Sequence, residues 1–143
     1  MLAYWDASER CVFANSAYKD WFGRSREEMV RIEMKVLLGE LYEKNLPYIR
    51  GALAGKRQVF ERQITLPSGI VRDALATYEP DVVNGEVLGF SVVVADVTVL
   101  KKREQLVREA MSDTVKILEE TKRNFRSKEL GLLRARLIAL LQS

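Results

Sequence analysis

The sequence predicts an α+β domain with a helical arm: a five-stranded antiparallel sheet carrying short helices on one face, then a long coiled-coil-like C-terminal segment. Three observations carry this expectation. Residues 59–97 alternate, or run almost continuously apolar, between turn residues, which is the pattern of strands. Residues 15–55 place apolar side chains three and four positions apart between glycine and proline breaks, which is the rhythm of short helices. From Val99 to Ser143 no proline occurs, and leucines recur at helical spacing.

The elements follow in order. Leu2 to Asp6 and Cys11 to Ala14 read as two short strands joined by the turn Asp6-Ala7-Ser8-Glu9. Asn15 and Ser16 are suited to cap a helix that carries Ala17, Tyr18, Trp21 and Phe22 on one face, and Gly23 ends it. Ser25-Arg26-Glu27-Glu28 fits a capping box. Helical spacing continues through Met29, Ile32, Val36, Leu37 and Leu41, with an interruption expected at Gly39. Asn45-Leu46-Pro47 is expected to start a further helix, because proline is best tolerated in a first turn, and Gly55 to stop it.

The period then changes. Val59 to Leu66 puts Phe60, Ile64 and Leu66 on one face, with Glu61, Gln63 and Thr65 on the other. After the turn Pro67-Ser68-Gly69 a strand runs from Ile70 to Tyr78, and Pro80-Asp81 is expected to break it. Asn84-Gly85 between Val82-Val83 and Val87-Leu88 is the strongest hairpin signal in the chain. Val87 to Val97 reads as a central strand. Residues 1–98 are therefore expected to form the domain and residues 99–143 the arm.

In the arm, Val107, Met111, Thr114, Leu118, Thr121, Phe125 and Leu132 follow a coiled-coil seam, with Lys128 filling one slot. Val107, Met111, Leu118, Phe125 and Leu132 are the dimerisation residues this pattern suggests. Ser127 could instead cap a second helix bearing Leu130, Leu133, Leu137 and Leu141. Either arrangement leaves a leucine stripe that calls for a partner, so a homodimer is expected.

Composition narrows the chemistry. At 48% hydrophobic and 30% charged, the 143 residues have the balance of a folded domain. The chain contains no histidine. That removes a histidine general base, Ser-His-Asp and Cys-His pairs, imidazole ligation of metal or haem, and a phospho-accepting histidine. One cysteine, Cys11, supports neither a Cys/His zinc site nor an internal disulfide, so a cytoplasmic setting is expected. No secretory leader is recognisable at Met1-Leu2-Ala3-Tyr4-Trp5, and no apolar run approaches a bilayer span. Carboxylates are plentiful, yet no acid/base pair, phosphate loop or nucleophile motif stands at useful spacing, so an enzyme is not expected.

Several short strings, taken together, resemble the PAS fold, in particular its fold-4 type. They are Tyr4-Trp5-Asp6, Phe13-Ala14-Asn15, Ala17-Tyr18, Trp21-Phe22-Gly23, Leu38-Gly39, Pro47-Tyr48-Ile49 and Ala52-Leu53-Ala54-Gly55, then Tyr78-Glu79-Pro80-Asp81, Gly89-Phe90 and Asp96-Val97-Thr98. The last is similar to the Asp-Ile-Thr that ends many PAS domains before an output helix. The resemblance spans residues 2–98. It implies a bacterial signalling module of the two-component kind, placed before a kinase, a cyclase or a transcription regulator.

In that fold a ligand pocket lies between the inner sheet face and the short helices. Its candidate lining here is Trp21, Leu37, Phe60, Arg62, Ile64, Asp73, Leu75, Phe90 and Val92, although aromatics at these spacings also serve as plain core. A guanidinium at Arg62 calls for an acidic partner, either Asp73 or a carboxylate ligand, unless its stem lies on the sheet with the head in water. Asp96 and Thr98 are the candidate transmission residues, as acceptors for the first amides of the arm. Flavin is disfavoured because its light-sensing relatives need a helical cysteine and Cys11 falls in a strand; haem is disfavoured by the missing histidine. A small molecule of unknown identity is the expected ligand.

The arm carries 11 Lys/Arg against 6 Asp/Glu, but the two signs interleave, as on a solvated helix. The Lys101-Lys102-Arg103 cluster is short for a DNA-contacting region, so nucleic acid is not the expected partner. Two other functions compete with the sensor: a packed dimerisation module that binds nothing, and a regulatory fragment of a transcription factor.

Overall fold

Alternation builds the expected sheet. In the computed structural model, which describes residues 1–124 and 128–143, five strands form one antiparallel sheet. They are β1 (Leu2–Asp6), β2 (Cys11–Ala14), β3 (Gln58–Thr65), β4 (Val71–Val83) and β5 (Glu86–Asp96), in the order β2-β1-β5-β4-β3. The nearly continuous apolar run is the central strand β5, paired with β1 on one side and β4 on the other. Asn84 and Gly85 close the β4–β5 hairpin with φ of 51° and 80°, the pair of positive values a type I′ turn requires.

Pro80 does not break β4. The strand continues to Val83, with a register shift between Asp81 and Val82. Because β3 ends opposite Tyr78, β4 is an edge beyond that point, and a missing N–H costs little there.

Four short helices follow β2: α1 (Tyr18–Phe22), α2 (Arg26–Met29), α3 (Met34–Leu38) and α4 (Leu41–Leu53). The Ser25–Glu28 capping box forms, with both reciprocal hydrogen bonds present. Gly23 ends α1 in the left-handed region, at φ 69°. Asn15 does not cap α1. Its Oδ1 accepts from Leu2 N–H and its own N–H donates to Leu2 carbonyl, so it ties β2 back to the start of β1.

The helical spacing from Met29 to Leu41 is interrupted earlier than expected. Residues 30–33 run beside β2: Arg31 N–H donates to Cys11 carbonyl (2.7 Å), and Cys11 N–H donates to Ile32 carbonyl (3.0 Å). Arg31 takes a positive φ of 64° to do so. Pairing with a strand overrides the local period. Pro47 lies inside α4 and not at its start, since the helix already begins at Leu41. Proline can donate no hydrogen bond to the Glu43 carbonyl one turn back.

The core lies between the inner sheet face and these helices. Trp5, Phe90, Met29, Met34, Ile49 and Cys11 are its largest fully enclosed side chains. Large apolar groups buried this way contribute about 1.5–3 kcal/mol each.

The chain divides into two compact units, Met1–Thr98 and Val99–Ser143. The second is built of two helices, not one, among the described residues: α5, which begins at Thr98 and ends at Asn124, and α6 (Lys128–Gln142). They run antiparallel. Arg108 Nη1 donates to Leu141 carbonyl (3.3 Å), while Arg134 Nη1 pairs with Glu119 Oε1 (3.1 Å) farther along. A single continuous seam is thereby broken up. Leu118 is buried and Met111 half-buried, whereas Val107 and Leu132 are exposed. Phe125 and Ser127 lie outside the described residues. The seam threonines satisfy themselves within α5, Thr114 donating to Ala110 carbonyl and Thr121 to Ile117 carbonyl.

Gly89 is the most constrained glycine of the sheet. It faces Asp6 across the β1–β5 ladder, and a β-carbon there would overlap the Trp5 carbonyl. Gly89→Ala is expected to destabilise the fold by about 1–3 kcal/mol, read from the urea unfolding midpoint at unchanged slope. A wild-type midpoint would show that β1 and β5 separate without cost.

Candidate ligand cavity

Two small residues on β4 create space in the core. Ala74 and Ala76 face inward beside Tyr78, opposite α3 and α4, and a cavity of about 30 Å³ lies there. At roughly 10–15 Å³ for each water-sized sphere, that is room for two or three waters. Wider furrows, such as one bounded by Arg10 and Arg31 beside β2, are open to solvent and enclose nothing.

The cavity wall is mostly apolar and carries a few polar groups. Leu37, Phe60, Arg62, Ile64 and Val92 line it, five of the nine residues expected there. The other four lie elsewhere. Phe90 is fully buried beneath the lining. Trp21 packs under the Arg72 guanidinium, 5.0 Å from its ring centre. Leu75 and Asp73 fall on the outer face, because the inward residues of β4 are the even-numbered ones.

Arg62 therefore does not pair with Asp73, which accepts from Gln63 Nε2 on the outer side. Its Nε donates to Asn45 Oδ1 (2.7 Å) and its Nη2 to Lys44 carbonyl (2.8 Å). The guanidinium also lies over Phe60 and Tyr48, at 5.3 and 5.6 Å. Those two rings stack at 3.8 Å, and Phe60 meets Tyr78 edge-on at 5.1 Å. An aromatic shelf thus carries the arginine into the cavity wall.

Four polar residues of this wall were not singled out from the sequence: Trp5, Tyr18, Asn45 and Tyr78. Asn45 had a usable signal, since it falls on the Ile49 and Ala52 face of α4 at i, i+4 and i+7 and is buried with them. It holds Arg62 with its oxygen and reaches Tyr78 hydroxyl with Nδ2 at 3.4 Å. Burial pushes the Tyr78 phenol up to about 12. Burial likewise raises the Tyr18 phenol, with the neighbouring Trp5 indole acting weakly the other way. Even so, Trp5 Nε1–H meets no acceptor at hydrogen-bonding geometry and is fully enclosed.

Beyond the cavity, β4 reaches the end of β5. Thr98 Oγ1 accepts from Asp73 N–H (2.9 Å), and Val97 N–H donates to Asp73 carbonyl (2.8 Å). Asp96 Oδ1 accepts from both the N–H and the hydroxyl of Thr98, at 3.0 and 2.6 Å. Its other oxygen pairs with Arg72 Nε at 3.3 Å. Asp96 and Thr98 together fasten the end of β5 to β4.

Cys11 is buried in β2, its thiol raised by burial and pointed at Phe13 carbonyl (3.3 Å). Among the described residues no cluster of His, Cys, Asp or Glu is arranged to hold a metal ion.

The profile of the family described as PAS fold matches residues 1–102. The chain belongs to the PAS family. Solved structures agree at the level of the fold. The PAS domain of Bordetella pertussis BvgS superposes with a TM-score of 0.56 at 22% identity, covering 76% of this chain and 87% of that one. A VqmA–ligand–DNA complex from Vibrio cholerae gives 0.61 at 17% identity, covering 68% and 46%. An RNA-binding light-oxygen-voltage receptor gives 0.62 at 20%, covering 78% and 33%. The chain spans about half the length of the VqmA chains it matches. No curated protein sequence matches it. No helix among the described residues is long and apolar enough to cross a membrane.

For this PAS domain the Asp96 cluster makes an acid-stability prediction. Hydrogen bonds from Thr98, with the Arg72 charge adding to them, hold the Asp96 carboxyl below its ordinary 3.8. The folded state thus binds this proton less readily than the unfolded chain. The contribution is complete above about pH 4 and is lost as pH falls through the folded value. Asp96→Asn is expected to flatten the fall of the thermal midpoint below about pH 4. An acid limb as steep as wild type would place the linkage elsewhere.

Proposed function

We propose that this PAS domain is a non-catalytic cytoplasmic sensor. It binds a small molecule between β4 and the helices, and signals through Asp96 and Thr98 into α5. The observation that carries the reading is that one strand serves both ends. Ala74 and Ala76 wall the cavity, and the adjacent Asp73 holds Thr98 and Val97 by its backbone. A ligand that displaces β4 changes the footing of α5. The VqmA structures, with ligand and DNA, support a ligand-responsive regulator; a sensory box histidine kinase/response regulator from Burkholderia thailandensis supports a sensor joined to a kinase. The output partner is a kinase, a cyclase or a transcription regulator.

The arm acts as the dimeriser in this proposal. Val107 and Leu132 are exposed, with Leu106, Ile117, Leu133 and Leu140 in the same condition on α5 and α6. A second copy would cover them. Val107→Asp combined with Leu132→Asp is expected to lower the sedimentation mass from twice 16.4 kDa to 16.4 kDa. A double variant that still sediments as a dimer would remove these residues from the interface.

The modest cavity favours one other reading, a fully packed relay module that binds nothing. Native mass spectrometry of gently purified protein separates the two. The sensor predicts an adduct that disappears on denaturation. Bare protein from several expression conditions, together with no change on adding metabolite mixtures, would favour the packed relay.

A further inference from the structure

The hydrogen-bonding groups around the cavity are unequal in kind. Trp5 offers only a donor, its indole N–H, which neighbours the Tyr18 hydroxyl but is buried without an acceptor at hydrogen-bonding geometry among the described residues. The Tyr18 and Tyr78 hydroxyls stay protonated, and neither donates its proton to an acceptor among the described residues. The oxygen of Asn45 is already taken by Arg62. Arg62 itself uses Nε and Nη2, leaving Nη1 outside any hydrogen bond among the described residues. Among the described residues no aspartate or glutamate lines the space.

Charge is as one-sided as hydrogen bonding. Arg62 is permanently cationic, yet its hydrogen bonds go to two neutral oxygens and its faces to two aromatic rings. It forms no ion pair among the described residues. Arg72, by comparison, is paired with Asp96. A half-buried guanidinium that lines the same space as a buried, unpartnered indole N–H is a site that lacks an anion with two acceptor oxygens.

We infer that the cavity takes a small monocarboxylate of formate to acetate size, its oxygens accepting from Arg62 and from Trp5 Nε1. Two or three water volumes match that bulk at roughly 10–15 Å³ each. The apolar wall formed by Leu37, Ile64 and Val92 then meets the methyl group. This inference rests on the ligand-sensing reading and names the chemistry of the same site.

Nuclear magnetic resonance of the full chain tests it, because the chain has two tryptophans and only Trp5 borders the cavity. Trp5→Phe assigns its indole signal. Sodium acetate, titrated at constant ionic strength against sodium chloride, is expected to move the Trp5 indole proton downfield to saturation while that of Trp21 stays in place. Acetamide, the neutral isostere, is expected to bind at least ten-fold more weakly. Arg62→Met should weaken acetate by about ten-fold or more, with Arg62→Lys intermediate.

Equal binding of acetamide and acetate would overturn the assignment of an anion. Xenon entering a cavity that acetate ignores would do so too, while leaving the ligand-sensing reading in place. If neither binds, both readings fall. The wild-type acetate and acetamide titrations decide the matter even where Arg62→Met fails to fold.

Discussion

The β4–β5 ladder is the interaction on which the other features depend. It runs from Ala74 opposite Asp96 to Val83 opposite Glu86, closed at one end by the Asn84-Gly85 turn. Alternation from Ala74 to Asp81, before the register shift, means that one register sets every face of the cavity wall. Ala74, Ala76 and Tyr78 point inward with Phe90, Val92 and Val94, and Leu75 and Val93 point outward. A slip of one residue would bring Asp73 and Leu75 into the core and abolish the cavity. The same ladder delivers Asp96 to the Arg72 side chain and Thr98 to the Asp73 amide.

Space and polarity in the core follow from that register. Two alanines on neighbouring inward positions leave room that bulkier residues would fill. The aromatic rings beyond them follow one another in a row: Tyr48 stacks on Phe60, Phe60 meets Tyr78 edge-on, and Tyr78 tilts against Phe90. Arg62 rests on this row and is steadied by Asn45 and the Lys44 carbonyl. Keeping a cation on neutral partners is costly in a purely structural core, where a hydrophobic residue of similar volume packs as well or better. A wall of donors that keep their protons is coherent if it serves an acceptor arriving from outside.

Much of this was legible locally. The Ser25–Glu28 capping box, the Gly23 stop and the Asn84-Gly85 hairpin each depend on a few adjacent residues and formed as read. The strand and helix periods yielded the sheet and most of the short helices. Errors arose wherever a distant partner intervened. Residues 30–33 left helical geometry to pair with β2, Asn15 turned to β1, and Pro80 was tolerated because β3 had ended. In β4 both faces carry apolar residues, so hydrophobicity alone favoured Leu75 over the smaller Ala74 and Ala76.

The sequence by itself determined the fold class, the strand and turn chemistry, the absence of histidine chemistry, and the placement of Arg62 on the face of Phe60 and Ile64. Those properties reside in neighbouring residues and in a period of two or of 3.6. Only the tertiary structure decided that Arg62 is held by Asn45 and not by Asp73, and that Trp5 and Tyr18 share its cavity. It also decided that the arm folds as α5 and α6. These outcomes join residues far apart in the chain, and a distance across a core is set by packing, which no local pattern encodes.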